Sequence, residues 1–171
     1  DPVTLHETLD RLAGDGITHL AMEASSHGIE QRRLDGVRLS AGAFLNLGHD
    51  HLDYHHTVEE YLAAKLRLWE LLPKGSPVIV NLDGTFADRG AAAARAMGHE
   101  ILSVGRQGET LRLTGLERRG FGQHLTIRAK GRDIAVTLPL AADYMAGNAL
   151  VAAALAIATG SEMVSAGSPV R

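Results

Sequence analysis

A change of hydrophobic period near residue 110 limits the fold of this chain more than any other feature. Before it, strand-length apolar runs alternate with stretches of helical spacing. Residues 43–47 (AFLNL), 77–83 (PVIVNLD) and 101–104 (ILSV) read as buried strands, because short unbroken apolar runs suit strands covered on both faces. Between them lie two helices. Thr57 opens the first, with Glu60 three residues on in capping-box spacing, and an Ala-rich stretch over 86–97 makes the second. Such alternation builds a parallel sheet. From 111 to 140, LRLTGLERRG, FGQHLTIRAKG and RDIAVTLPL alternate with period two between glycine-containing turns, the pattern of an antiparallel meander. The expected fold is α/β, a mainly parallel open sheet flanked by helices, with the meander at 111–140.

The ends of the chain are more varied. Leu5, Leu9 and Leu12 keep helical spacing over 4–13, and GDG at 14–16 stops them. ITHLAM (17–22) reads as a strand that should neighbour 43–47 and deliver Glu23 to the carboxyl edge of the sheet, where open α/β sheets bind ligands. Gln31, Arg32 and Arg33 precede an Asp35-Gly36 turn, and the two arginines also read as plain surface charge. A last helix over 143–159 carries Asn148 in its first turns, and 161–171 reads as a linker after a domain spanning 1–160.

Composition excludes several classes. The 171 residues carry a net charge of −3, so no basic excess points to nucleic acid. With no cysteine, neither disulfides nor thiolate metal sites are available, and a cytoplasmic setting fits. No apolar run reaches the length of a membrane span, so no membrane partner is expected.

The chemistry gathers in 41–72. A loop holds His49, Asp50, His51, Asp53, His55 and His56. On the helix after it, at 100° per residue, Val58, Tyr61, Leu62, Leu68, Trp69 and Leu72 fall within about 60° of Lys65. A lysine at the centre of an apolar stripe either snorkels its amine to water or is functional. A neutral buried amine can also capture carbon dioxide as a carbamate, which turns a cation into an oxygen ligand for Mg²⁺. Four histidines in eight residues invite zinc, but HExxH spacing is absent. A metal-dependent hydrolase using the His/Asp loop is the alternative reading.

MEASSHGIEQRR (22–33), NLGHDHLDYHHTVEEYLAAKLRLW (46–69), VNLDG (80–84) and AGNALVAAALA (146–156), in this order over nearly the whole chain, resemble the central domain of the Mur ligases. ME-x-SSHG with DHLDYH favours the members that add the third residue of the peptidoglycan stem peptide over other Mur ligases and the folylpolyglutamate synthases. The resemblance implies an ATP-dependent amide ligase. ATP would phosphorylate the D-Glu carboxylate of UDP-MurNAc-L-Ala-D-Glu, and the amine of a diamino acid would displace phosphate. Matched motif by motif, Glu23 would bind the Mg²⁺ bridging the ATP phosphates, and His51 a second Mg²⁺. Lys65, as a carbamate, would support that second ion. Ser25, Gln31 and Arg33 would bind the UDP-sugar, and Asn148 would lie near the adenine. Glu23, His51 and Lys65 are expected to meet at the sheet's carboxyl edge, in a monomeric enzyme of the peptidoglycan pathway. The family's GTNGKT-type P-loop and TTP threonines are expected upstream of residue 1, and its C-terminal domain downstream. This piece alone is expected to be inactive. Family members more often carry Arg or another polar residue at the place of His49, and the resemblance assigns no role to His49, His55 or His56.

Overall fold

Parallel strands packed on both faces need apolar side chains pointing both ways, and β2 supplies them. The computed structural model describes residues 1–48 and 55–161. In it β1 (Gly42–Phe44), β2 (Pro77–Asn81) and β3 (Glu100–Gly105) pair in parallel. Val78, Ile79 and Val80 in the middle strand are 0% exposed. Ile79 joins Val104, Leu111 and Leu125 in one apolar cluster with Ala146, Leu150 and Ala154 of α5 (Tyr144–Ala158). On the other face Phe44 lies against α4 (Ala87–Ala96), so close to Gly90 that a Cβ there would come within 3.2 Å of its ring.

The meander extends this sheet. β4 (Leu111–Arg119) pairs in parallel with β3 through Val104–Leu111 and Gly105–Arg112. β5 (Gly122–Ala129) and β6 (Arg132–Leu138) then follow antiparallel, giving six strands in chain order. Buried Gln123 of β5 donates from Nε2 to the carbonyls of Ala141 and Ala142 at 3.1 and 2.9 Å. It thereby ties the meander to the chain entering α5. The expected mainly parallel sheet, its flanking helices and the meander are all present.

Two departures concern strand ends. β1 stops at Phe44 instead of reaching 47, because the hydroxyl of Thr85 replaces a strand neighbour. It accepts from the Leu47 amide at 3.1 Å and donates to the Leu47 carbonyl at 2.6 Å. The strand expected at 17–22 does not form; residues 17–25 carry no regular structure. A strand exists only through partners that complete its ladder, and 17–22 enters no pairing of the sheet. Ile17 and Leu20 are left 50% and 52% exposed.

The chain divides into two compact units, residues 40–48 with 74–171, which hold the whole sheet, and residues 1–39 with 49–73. The second unit is helical among its described residues. Asp1 caps α1 (Pro2–Gly14) by accepting from the Val3 amide. Ser25 caps α2 (Ser26–Glu30), and Thr57 caps α3 (Val58–Leu66) through the Glu60 amide at 3.1 Å, the main bond of a capping box. The expected single helix over 58–72 tightens to a 3-10 helix over Arg67–Leu71. Ile29, Leu34, Tyr61, Leu62, Trp69 and Leu72 are the large apolar side chains buried in this unit, and α2 lies against α3. No helix among the described residues is long and apolar enough to cross a membrane.

Candidate functional site

In the sheet unit, polar side chains collect beyond the carboxyl ends of β2 and β3, where parallel α/β sheets place ligands. Asn81 ends β2 and accepts from the Asp83 amide at 3.2 Å. The Asp83 carboxylate accepts from the Arg106 amide, just past β3, at 2.9 and 3.0 Å. These residues line a cavity of about 280 Å³ together with Asn46, Asn148 and Asp143. Asn148 reaches it from the second turn of α5, and Asn81 Nδ2 would lie only 3.0 Å from a Cβ at Gly147. Gly84 closes the turn after Asp83. A Cβ there would meet the Leu45 carbonyl oxygen at 2.0 Å, so only glycine permits the approach of the two backbones.

Arg118 donates from Nε to Asp143 Oδ1 at 2.9 Å, and a second guanidinium nitrogen also bonds this carboxylate. The bond from Arg118 holds the Asp143 carboxyl below the ordinary carboxylate range, and the charge of Arg106 adds to the pull. The cavity thus offers three amide side chains and two carboxylates, donors and acceptors suited to the edge of a heteroaromatic base. Of these residues Asn148 is the one singled out in the sequence. Asn81, Asp83 and Arg106 were not given roles, although VNLDG spans the first two, and their place after two parallel strands was the available signal.

The helical unit holds most of the other candidates. Glu23 is exposed, two residues ahead of Ser25. Ser25 Oγ accepts from the Gly28 amide at 3.1 Å and starts α2. Arg33 donates to Gln31 Oε1 at 2.6 Å, which orients the guanidinium beside the carboxamide. Ser25, Gln31 and Arg33 therefore stand at the two ends of this short helix and its exit, and all three are exposed. Arg32 instead pairs at the surface with Asp35 at 3.8 Å.

Lys65 is half-buried, not fully enclosed, and its Nζ sits 5.1 Å from the centre of the Tyr61 ring. That is cation–π range. The stripe around it is apolar as expected, with Tyr61, Leu62, Trp69 and Leu72 buried. His51, together with His49, Asp50 and Asp53, lies outside the described residues. The expected meeting of Glu23, His51 and Lys65 at the edge of the sheet therefore also lies outside them. Among the described residues no three His, Asp or Glu side chains form a group that could hold a metal ion. Glu23 offers carboxylate oxygens of the kind that suit a hard cation, whereas unmodified Lys65 offers none.

A family model described as the Mur ligase middle domain matches residues 1–156. The UDP-N-acetylmuramoyl-L-alanyl-D-glutamate--2,6-diaminopimelate ligase of Brucella melitensis is 53% identical over 161 residues, 94% of this chain and 33% of that protein. The ligase of the same name from Agrobacterium fabrum is 51% identical over the same share. A solved structure of a ligase so named superposes with a TM-score of 0.83 at 29% identity, covering 96% of this chain and 36% of its own. The chain spans about a third of the length of the curated relatives it matches. A hydrolase built on the His/Asp loop is set aside by these matches, which are to ligases. Over nine-tenths of its residues, in the sheet and in the helical unit alike, the chain belongs to the Mur ligases, as their middle domain.

Proposed function

We propose that this chain is the central piece of an ATP-dependent ligase that joins 2,6-diaminopimelate to UDP-N-acetylmuramoyl-L-alanyl-D-glutamate in peptidoglycan synthesis. The observation that carries the reading is identity of 53% across 94% of the chain to a ligase of that name. That identity spans both the amide-and-carboxylate cavity and the Ser25–Arg33 segment. The name of the relatives supports diaminopimelate over L-lysine as the diamino acid.

The chain's own residues divide the work. Asn148, lining the cavity past β2 and β3, meets the adenine of ATP. Ser25, Gln31 and Arg33 bind the UDP-sugar, and the bond from Arg33 to Gln31 sets the guanidinium for a phosphate or carboxylate. Glu23, His51 and Lys65 would hold Mg²⁺, Lys65 as a carbamate formed by addition of its amine to carbon dioxide with release of a proton. The ions supply positive charge against the charge that gathers between γ-phosphate and carboxylate during phosphoryl transfer. Residues 1–160 form the domain, and the linker expected at 161–171 lies from residue 162 on outside the described residues. The whole enzyme works in the cytoplasm, as a monomer, on small molecules.

In the full-length protein, phosphate release should require ATP, UDP-N-acetylmuramoyl-L-alanyl-D-glutamate and diaminopimelate together, and the product should be the tripeptide. Phosphate release that ignores the diamino acid, or none with all three present, would refute the reading.

A further inference from the structure

One buried polar pair has no role in the scheme above. His55 is 3% exposed and Ser26 2% exposed. His55 Nε2 and Ser26 Oγ share a hydrogen bond of 2.9 Å across 29 residues of sequence. His55 Nδ1 faces Glu30 Oε2 at 3.9 Å, too long for a hydrogen bond. The imidazole also stacks on Tyr61, with centroids 5.1 Å apart and planes inclined by 18°, and His27 leans on it at 5.6 Å. The same Tyr61 ring lies 5.1 Å from Lys65 Nζ.

These contacts form one path within the helical unit. Both ring nitrogens of His55 address α2, which carries Ser26 and Glu30 and is bracketed in sequence by Ser25, Gln31 and Arg33. The ring face addresses α3 at Tyr61, one turn before Lys65. An imidazole enclosed this far costs desolvation that a bonded hydroxyl offsets only in the right geometry. Two rigid contacts at right angles, an in-plane hydrogen bond and a stack, fix both where α2 lies and how it is turned. Apolar packing alone would fix the first and leave the second loose.

We propose that His55 is a positioning residue. It holds the UDP-sugar-binding segment at a set orientation to the Tyr61–Lys65 turn, acting through Ser26 and Tyr61 without touching substrate. The inference rests on the ligase reading and extends it, by naming the link between the sugar-binding arm and the lysine.

Three variants of the full-length protein test it. His55→Phe keeps a ring for Tyr61 and loses the hydrogen bond; Ser26→Ala removes the partner alone; His55→Gln keeps a nitrogen or oxygen that can reach Ser26. Calorimetry reads the affinity for UDP-N-acetylmuramoyl-L-alanyl-D-glutamate, and steady-state kinetics reads KM for each substrate and kcat. Loss of the bond should weaken affinity for the UDP-sugar about tenfold in His55→Phe and in Ser26→Ala, with KM for ATP within about twofold. The double variant should bind no worse than either single one, as expected for two halves of one interaction. His55→Gln should recover most of the loss. Unchanged affinity in Ser26→Ala, equal loss for every substrate, or additive losses would overturn the proposal, whether or not the melting temperature falls. Ser26→Ala deletes a single oxygen, so the test stands even if His55→Phe fails to fold. A wild-type protein that neither binds the UDP-sugar nor ligates brings down the ligase reading, and the proposal with it. A wild type that binds, beside variants that bind as well, brings down the proposal alone.

Discussion

The two units of this chain bury their interiors by different means. In the sheet unit, Ile79, Val104, Leu111 and Leu150 meet across strands and α5 in an apolar core, and enclosed polar groups such as Gln123 are tied to backbone carbonyls. In the helical unit α1 buries no residue at all, and Ile17 and Leu20 stand half-exposed. At its centre is a histidine bonded to a serine and stacked on a tyrosine. An apolar core tolerates small errors of orientation, because contact area changes little as groups slide. A polar one does not, because a displaced donor loses its partner. The candidate residues follow this division: Asn148 stands on a firmly packed helix, while Glu23, Ser25, Gln31, Arg33 and Lys65 belong to the less buried unit.

If the contrast is real, the largest stability effects belong to the sheet unit. Gly84→Ala would set a Cβ 2.0 Å from the Leu45 carbonyl oxygen, and both neighbours are backbone. We expect a loss upward of about 3 kcal/mol, read as faster hydrogen exchange of the β1 and β2 amides. Next, Ile79→Ala should cost about 3 kcal/mol by leaving a cavity in the core. Leu12→Ala on α1 should cost under about 1 kcal/mol, since that helix has little buried area to lose. Equal losses at Ile79 and Leu12 in the same exchange measurement would erase the distinction between the units.

The helical unit should respond in activity instead. Lys65→Ala in the full-length ligase should lower kcat about 100-fold or more, as removal of a charge-stabilising group does. The fold should change by under about 1 kcal/mol, because Lys65 is half-buried and on the surface of its helix. Acetate standing in for the carbamate should restore part of the rate. Near-normal turnover of this variant would remove Lys65 from the chemistry.

The smallest effect concerns pH. The bond from Arg128 holds the Asp133 carboxyl below its ordinary range, and Asp133 raises the guanidinium in turn. A lowered folded-state pKa adds stability that is complete above the unfolded value and disappears as pH falls through the folded one. Asp133→Asn should therefore lower the stability of the β5–β6 pair at neutral pH, where the carboxylate is charged, and leave it nearly unchanged at acid pH, where the wild-type pair is already lost. The pair is exposed, so the change should be slight and should fade with added salt. An equal shift at neutral and acid pH would mean that packing, not charge, joins the two strands.

Some of the fold was legible because its cause is local. The run PVIVN can be little other than a strand buried on both faces, and the period-two segments after 110 show alternate residues turned inward along β4 and β5. Thr57 and Glu60 announced the start of α3 through a bond spanning three residues. The stripe of Tyr61, Leu62, Trp69 and Leu72 followed from helical spacing, although the chain tightens to a 3-10 turn before it ends. The motifs singled out Ser25, Gln31, Arg33, Lys65 and Asn148 as candidates, and of these Asn148 lines the cavity past β2 and β3.

What periodicity could not reach depends on partners far along the chain. ITHLAM has the composition of a strand, but a strand is made by its neighbours, and within these residues it has none. The end of β1 was set by Thr85, a hydroxyl 38 residues away that took over the Leu47 backbone groups. Asn81, Asp83 and Arg106 became a site only when two parallel strands brought their carboxyl ends side by side. His55 reads in the sequence as one of four histidines in a polar loop; its meaning comes from Ser26, Glu30 and Tyr61 closing around it. Hydrophobic period is a property of neighbouring residues and survives in the bare sequence, whereas a hydrogen bond or a strand pairing is a property of two distant ones and exists only after the chain has folded.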